Sequence, residues 1–261
     1  MQLPNGKKVY FLSDFHLGAP DPTSSLEREK RIVGFLDTIR SDAAAVFLVG
    51  DLFDFWYEYR KVVPKGHVRL LGKLAELSDS GIPLHFFVGN HDMWVKDYFQ
   101  RELHMTTYYG PAAFEWNGRR FWVGHGDGLG PGDQGYKRLK KLFRNPVCQW
   151  LFGILPPVAG MGMAQYLSRR SRRQTGSTEE VFLGAEKEWL VQYCLERLQQ
   201  EHYDYLLFGH RHLPIDHRFP GGSRYINLGD WIRYSTYAVF DGQELQLRSH
   251  TGMDQAIIRT S

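Results

Sequence analysis

The chain has 261 residues, of which 43% are hydrophobic and 15% aromatic, enough for the core of one large domain or of a domain carrying an insertion. A formal charge of +3 and a pI of 8.7 are only mildly basic; they fit an anionic substrate or an anionic surface and single out neither. Two cysteines, Cys148 and Cys194, exclude a disulfide framework and a cysteine zinc site, and a reducing compartment is the expectation.

The N-terminus enters a strand with no apolar leader before it, and the longest apolar stretch, Leu151 to Met163, is broken by Pro156 and Pro157. That stretch is too short to span a bilayer. The expectation is a cytoplasmic protein, peripheral on the inner membrane if it touches one. The apolar run Val9 to Ser13 reads as a strand ending at Asp14 and His16. Helical spacing follows from Ser25 to Arg40, with Ser24 or Ser25 as its cap. A second strand, Val46 to Gly50, ends at Asp51. A helix is predicted from Val68 to Asp79, stopped by Gly81-Ile82-Pro83. The strand His85 to Gly89 leads into Asn90 and His91, and a short helix follows over Val95 to Leu103. Phe114 to Val123 reads as a hairpin turning at Asn117-Gly118 and delivers His125.

After Gly126 the texture changes. A glycine-rich loop precedes a basic helix (Lys137, Arg138, Lys140, Lys141, Arg144), an apolar Gly/Pro-rich stretch from Trp150 to Ala164, and the cluster Ser168 to Arg173. Residues 131–178 are therefore read as a helical cap inserted into a core made of 1–130 and 179–261. Helical periodicity resumes from Glu179 to Gln200. The strand Tyr205 to Gly209 then delivers His210 and His212, and short strands follow to a hairpin at Asp241-Gly242.

Five apolar runs thus each end in a metal-ligand side chain, four of them through a glycine that lets other groups crowd close. Ligands of open sheets collect beyond the carboxyl ends of the strands, so the pattern predicts one site. A single histidine after a strand is usually structural; five such blocks in one chain are not an accident of composition. Asp14 and His16 point the same way if strand geometry persists through them. Asp51 is placed to bridge two cations through its two oxygens. Asn90, His125, His210 and His212 complete a mixed N/O set without thiolates, suited to Mn²⁺, Fe or Zn²⁺. Two ions about 3.5–4 Å apart would lower the pKa of a bridging water and clamp phosphoryl oxygens. Asp54, Asp92 and Asp127 are candidates to orient the histidines. The other histidines follow no pattern.

In order, the blocks are Asp14-Phe15-His16, Gly50-Asp51, Gly89-Asn90-His91-Asp92, Gly124-His125 and Gly209-His210-Arg211-His212. With them the chain strongly resembles the calcineurin-like metallophosphoesterases. The resemblance implies an α/β sandwich of two mixed β-sheets flanked by helices. It also implies two divalent ions, one held by Asp14, His16, Asp51 and His212, the other by Asp51, Asn90, His125 and His210. His91 would face the scissile phosphate and Asp92 would support it, making these the catalytic pair. Within the family the chain is similar to the group that hydrolyses UDP-2,3-diacylglucosamine in lipid A synthesis, through Leu12 to Gly18, Gly50 to Trp56, and His125 to Leu129 followed by Asp133 and Tyr136. That implies Mn²⁺ as metal, a nucleotide-glycolipid as substrate, and substrate contacts from Asn90, His91, Asp133, Tyr136 and Ser171. The chain departs from the group's best-known members at His91, where they carry Arg, and at Arg211, where they carry Thr.

The cap bears on the substrate independently. Trp150, Leu151, Phe152, Ile154, Leu155, Met161 and Met163 suit an apolar groove for acyl chains, and the flanking cations suit phosphate or headgroups. The plainer alternatives are that these residues pack the cap onto the body and that the basic run is an ordinary solvated face. A hydrolase of another nucleotide, phosphodiester or nucleic acid is the competing enzyme reading, with nucleic acid disfavoured. A metal-free scaffold should have lost ligands, and none is lost here. No obligatory protein partner is evident.

Overall fold

The computed structural model describes residues 1–131, 134–175 and 181–261, with the backbone alone for 165 and 169–175. In chain order the elements are β1 (Lys8–Leu12), α1 (Pro22–Ile39), β2 (Ala43–Leu48), α2 (Val68–Asp79), β3 (Leu84–Phe87), α3 (Tyr98–Leu103) and β4 (Thr106–Tyr108). The hairpin β5 (Ala112–Trp116) and β6 (Arg119–Val123) precedes three helices, α4 (Gln134–Phe143), α5 (Pro146–Ile154) and α6 (Pro157–Thr175). The chain closes with α7 (Trp189–Gln200), β7 (Tyr205–Phe208), β8 (Pro214–Arg218), β9 (Arg224–Leu228), β10 (Thr236–Phe240), β11 (Leu245–Ser249) and β12 (Ile258–Thr260).

Two six-stranded mixed sheets result, ordered β11-β10-β1-β2-β3-β4 and β12-β8-β9-β7-β6-β5. Side chains alternate across a strand, and here that alternation builds the layers. Val9, Phe11, Ala45 and Phe47 face the second sheet and pack on Phe121, Val123, Leu207 and Ile226. Their neighbours Tyr10, Leu12, Val46 and Leu48 face outward onto α1 and α2 through Phe35, Leu36, Leu70 and Leu74. Leu206, Phe208 and Tyr225 face the other way, onto Leu190, Val191 and Cys194 of α7. The expected sandwich of two mixed sheets flanked by helices is the observed one.

Helix starts depart from the sequence reading, each for an identifiable reason. Helix α1 is capped by Asp21, whose carboxylate accepts from the N–H groups of Thr23 and Ser24, with Pro22 in the first turn, rather than by Ser24 or Ser25. Helix α3 begins at Tyr98 and not at Val95, because Glu58 reaches across to accept from the N–H groups of Asp97 and Tyr98. Helix α7 begins at Trp189, ten residues later than the periodicity suggested, after a turn with Gly184 at φ +97°. The apolar stretch 151–163 divides at Pro156 into the end of α5 and the start of α6. No helix among the described residues is long and apolar enough to cross a membrane.

His85 lies in the layer between the sheets, stacked on Phe47 with ring centroids 4.2 Å apart. Burial pushes its pKa down to about 4. The unfolded chain takes up a proton near the ordinary value of about 6.5, and the folded chain refuses it until about pH 4, so stability falls as pH drops through that window. Urea unfolding at about pH 7 and about pH 5 should therefore show a smaller acid loss for His85→Phe than for the wild type. Equal losses would place the titrating group elsewhere.

Candidate metal centre

The strands β1, β2 and β3 run parallel in one sheet, and β6 and β7 run parallel in the other. Their carboxyl ends open onto one place. Strand geometry does not persist through Asp14 and His16: β1 ends at Leu12, and both residues have left-handed backbones (φ 55° and 44°). Asp51, His210 and His212 are left-handed too, at 55°, 69° and 55°. Each such non-glycine residue costs about 1–2 kcal/mol, so the surrounding contacts must hold them. The Asp14 N–H donates to the Gly50 carbonyl (3.1 Å) and the His16 N–H to the Asp51 carbonyl (2.9 Å), lacing the first two strand ends together. The glycines serve close approach, as expected. A Cβ at Gly50 would strike the His125 ring, one at Gly89 the Asp51 carboxylate, and one at Gly209 the Asp14 carboxylate.

Each of the two central carboxylates has one oxygen tied down and one bare. Asp14 Oδ2 accepts from the His210 N–H (3.0 Å) and Asp51 Oδ1 from the His91 N–H (2.8 Å). Asp14 Oδ1 and Asp51 Oδ2 are buried and make no hydrogen bond. Around Asp14 Oδ1 gather His16 Nε2 (3.7 Å) and His212 Nε2 (3.2 Å). Asp51 Oδ2 lies 3.7 Å from His16 Nε2 and 3.3 Å from His125 Nε2, which is itself 3.1 Å from Asn90 Oδ1. His210 joins Asp51 and His125 in one group of donors; Asp14, His16 and His212 form another; His91 lies with His16 and Asp51. Ligand atoms about 2.0–2.2 Å from a shared ion sit about 3–3.5 Å from one another, close to these separations. Asp51 Oδ1 already accepts from the His91 N–H, so Oδ2 is the oxygen with no hydrogen-bond partner among the described residues.

Hydrogen bonding supports the fit. His125 Nδ1 lies 2.8 Å from the Val49 carbonyl, so it carries the proton and leaves the Nε2 lone pair facing two oxygens. That arrangement needs a cation, either a proton or a metal. His16 Nε2 and His212 Nε2 approach to 3.1 Å, and at most one hydrogen fits between them. The charges agree. Burial opposes a charged His16, yet Asp14, Asp54 and Asp51 raise its pKa to about 10. His125 is likewise held well above its ordinary value, against burial, chiefly by Asp51. Burial would raise Asp14 and Asp51, but the facing histidines hold both far below the usual carboxylate range. His210, buried and beside His125, is lowered to about 4.

The supporting carboxylates divide the work. Asp54 Oδ1 lies 3.8 Å from His16 Nδ1, and the Asp54 carbonyl lies 2.8 Å from His91 Nδ1. Asp92 does not take the His91 ring: its oxygens accept from the N–H groups of Gly89 (2.7 Å) and Leu52 (2.8 Å), pinning the loops around Asp51. Burial and Asp51 raise its pKa to about 7. Asp127 accepts from Tyr136 Oη (2.7 Å) and pairs with Lys140 Nζ (2.5 Å), tying α4 to the strand end that carries His125. The sequence reading missed Asp230, 3.7 Å from His212 Nδ1. Its signal was present: Tyr225 to Leu228 followed by Gly229-Asp230 repeats the strand-glycine-ligand pattern, and β9 is parallel to β7.

Of the residues expected to touch substrate, Asn90 and His91 lie in the donor cluster and Tyr136 lies beside it on Asp127. Asp133 and the side chain of Ser171 lie outside the described residues. Ser168, one turn earlier on α6, donates to Asp54 Oδ1 (3.2 Å) and brings that helix to the site's edge. The apolar residues of α5 split in two. Phe152 is buried against Phe55, Tyr57 and Trp94, and Trp94 Nε1 and Tyr57 Oη donate to the carbonyls of Phe143 and Gln149 (2.7 Å each). Trp150, Leu151 and Ile154 remain 66%, 53% and 61% exposed.

Residues 7–214 match the family described as calcineurin-like phosphoesterase. The chain is 38% identical over 259 residues to a UDP-2,3-diacylglucosamine hydrolase of Porphyromonas gingivalis, covering 95% of this chain and 99% of that one. A protein of the same description from Ectopseudomonas mendocina is 30% identical, covering 90% and 95%.

Proposed function

The chain belongs to the calcineurin-like phosphoesterase family, and from that premise we propose that it hydrolyses the pyrophosphate of UDP-2,3-diacylglucosamine to UMP and 2,3-diacylglucosamine 1-phosphate. It is a hydrolase. One observation carries the chemical half of the reading: the bare, buried Oδ2 of Asp51 faces His16 Nε2 at 3.7 Å and His125 Nε2 at 3.3 Å, one from each donor group. Similarity along the whole chain to relatives of that description carries the substrate half.

Asp14, His16, Asp51 and His212 would hold one divalent ion, and Asp51, Asn90, His125 and His210 the other; we propose Mn²⁺ for both. When bound, such a pair lowers the pKa of a water and offsets phosphoryl charge. The chain's residues prepare the rest. Asp92 and the glycines fix the loops, so the donors are set before substrate arrives. His91 and His212, with side chains 20% and 28% exposed, form the open rim where a phosphate enters. His91 Nδ1 donates to the Asp54 carbonyl, which turns Nε2 to the substrate, where it would accept a proton when neutral and donate to a phosphoryl oxygen when protonated.

The helices α4–α6 form the cap of this reading, over residues 131–178. Phe152 anchors it, while Trp150, Leu151 and Ile154 are open to acyl chains, at the cytoplasmic face of the inner membrane. The double variant Trp150→Ala, Ile154→Ala should raise KM for the diacylated substrate about tenfold, roughly 1.4 kcal/mol, and leave a small phosphodiester unchanged. Equal loss on both would make these residues structural.

The test of the function is incubation of the purified protein with UDP-2,3-diacylglucosamine, with and without Mn²⁺, and identification of products by mass spectrometry. Metal-dependent UMP and 2,3-diacylglucosamine 1-phosphate are expected. An intact glycolipid beside efficient cleavage of another phosphodiester would keep the chemistry and reassign the substrate.

A further inference from the structure

We propose that the buried ion pair between Arg211 and Glu188 is a positioning device for the metal centre, holding the His210-Arg211-His212 turn so that each histidine reaches its own donor group. The inference rests on reading His210 and His212 as metal ligands.

The turn is strained and cannot hold itself. His210 and His212 are both left-handed, and the Arg211 N–H between them donates to the Gly209 carbonyl (2.8 Å). The turn sends the two imidazoles to different groups, His212 to Asp14 and His16, His210 to Asp51 and His125. It sends Arg211 away from them, into the body. There its Nε and Nη2 donate to the two oxygens of Glu188 at 2.7 and 3.2 Å, and Nη2 also donates to the Val181 carbonyl at 3.3 Å. The guanidinium lies 4.8 Å from the centre of the Trp189 ring, whose own centroid is 6.4 Å from that of His210. Arg211 and Glu188 are each only 3% exposed.

Stability is a poor reason for such a pair. Two desolvated charges are expensive, and apolar side chains of similar volume often do as well or better. A fork-to-fork pair adds orientation, because it fixes two bonds in one plane where a methyl group fixes none. Glu188 is also the N-cap residue of α7, where the chain returns from the cap. The pair therefore ties the returning segment to the turn carrying one ligand of each ion.

The experiment separates positioning from folding. Mn²⁺ affinity would be measured by calorimetric titration of metal-free protein, beside the unfolding midpoint of the same samples. The proteins are the wild type, Arg211→Met, Arg211→Lys, Glu188→Gln and the double variant Arg211→Met, Glu188→Met. Arg211→Met should weaken Mn²⁺ binding about 10–100-fold, the range for residues that orient ligands, and Arg211→Lys, which keeps the charge and loses the fork, should weaken it less. The double variant should recover the metal-free midpoint and still bind weakly. It carries the test if a single variant fails to fold. Double-variant binding as tight as the wild type's would overturn the inference and leave the metal reading intact. A wild type that takes up no Mn²⁺ would overturn both.

Discussion

Asp51→Asn should abolish turnover, by about a thousandfold or more, while the protein still folds cooperatively. The substitution is nearly isosteric, and the amide oxygen can keep the hydrogen bond that Oδ1 accepts from the His91 N–H. The change falls on the other atom. Oδ2, bare and buried between His16 and His125, becomes an NH₂ group that donates where a cation should be bound. Because this oxygen lies between His16 of one donor group and His125 of the other, both ions should be lost or weakened together, and several kcal/mol of charge stabilisation with them. Metal content after dialysis and turnover with Mn²⁺ check the expectation. Near-normal rates with two ions retained would remove Asp51 from the bridging position.

His91→Ala should lower kcat about 10²–10³-fold and leave the metal content nearly unchanged. The ring lies 4.7 Å from that of His16, close enough for a phosphate to touch both. Its Nδ1 is held by a backbone carbonyl, and its side chain is more open than those of His16 and His125. Those features describe a group that meets substrate more than one that holds an ion. Its place in a donor group with His16 and Asp51 marks the competing role. Loss of both ions in the variant would assign His91 to the ligands.

Local pattern carried much of this molecule. Helix α2 has the predicted bounds, and the hairpins turn at Asn117-Gly118 and Asp241-Gly242, because turn glycines and apolar periodicity act over a few residues. Two departures arise from long-range contacts. Glu58 caps α3 from 39 residues away, and Glu188, inside the stretch of helical periodicity, stands before α7 and pairs with Arg211. The Asp21 cap of α1 is local, and Asp21-Pro22 before the helical spacing is its signal in the sequence.

Sequence by itself determined which residue types end the five strands and that glycines stand beside them, and this named the chemistry. Tertiary structure decided what each atom does. That one Asp51 oxygen accepts from the His91 amide while the other is left bare, that Asp92 serves backbone amides, that Asp230 stands behind His212 and that Ser168 reaches Asp54 all depend on groups brought together by the fold. A ligand's type is a property of its side chain. Its free lone pair is a property of whatever else has been folded against it, and that is settled only when both sheets close on one another.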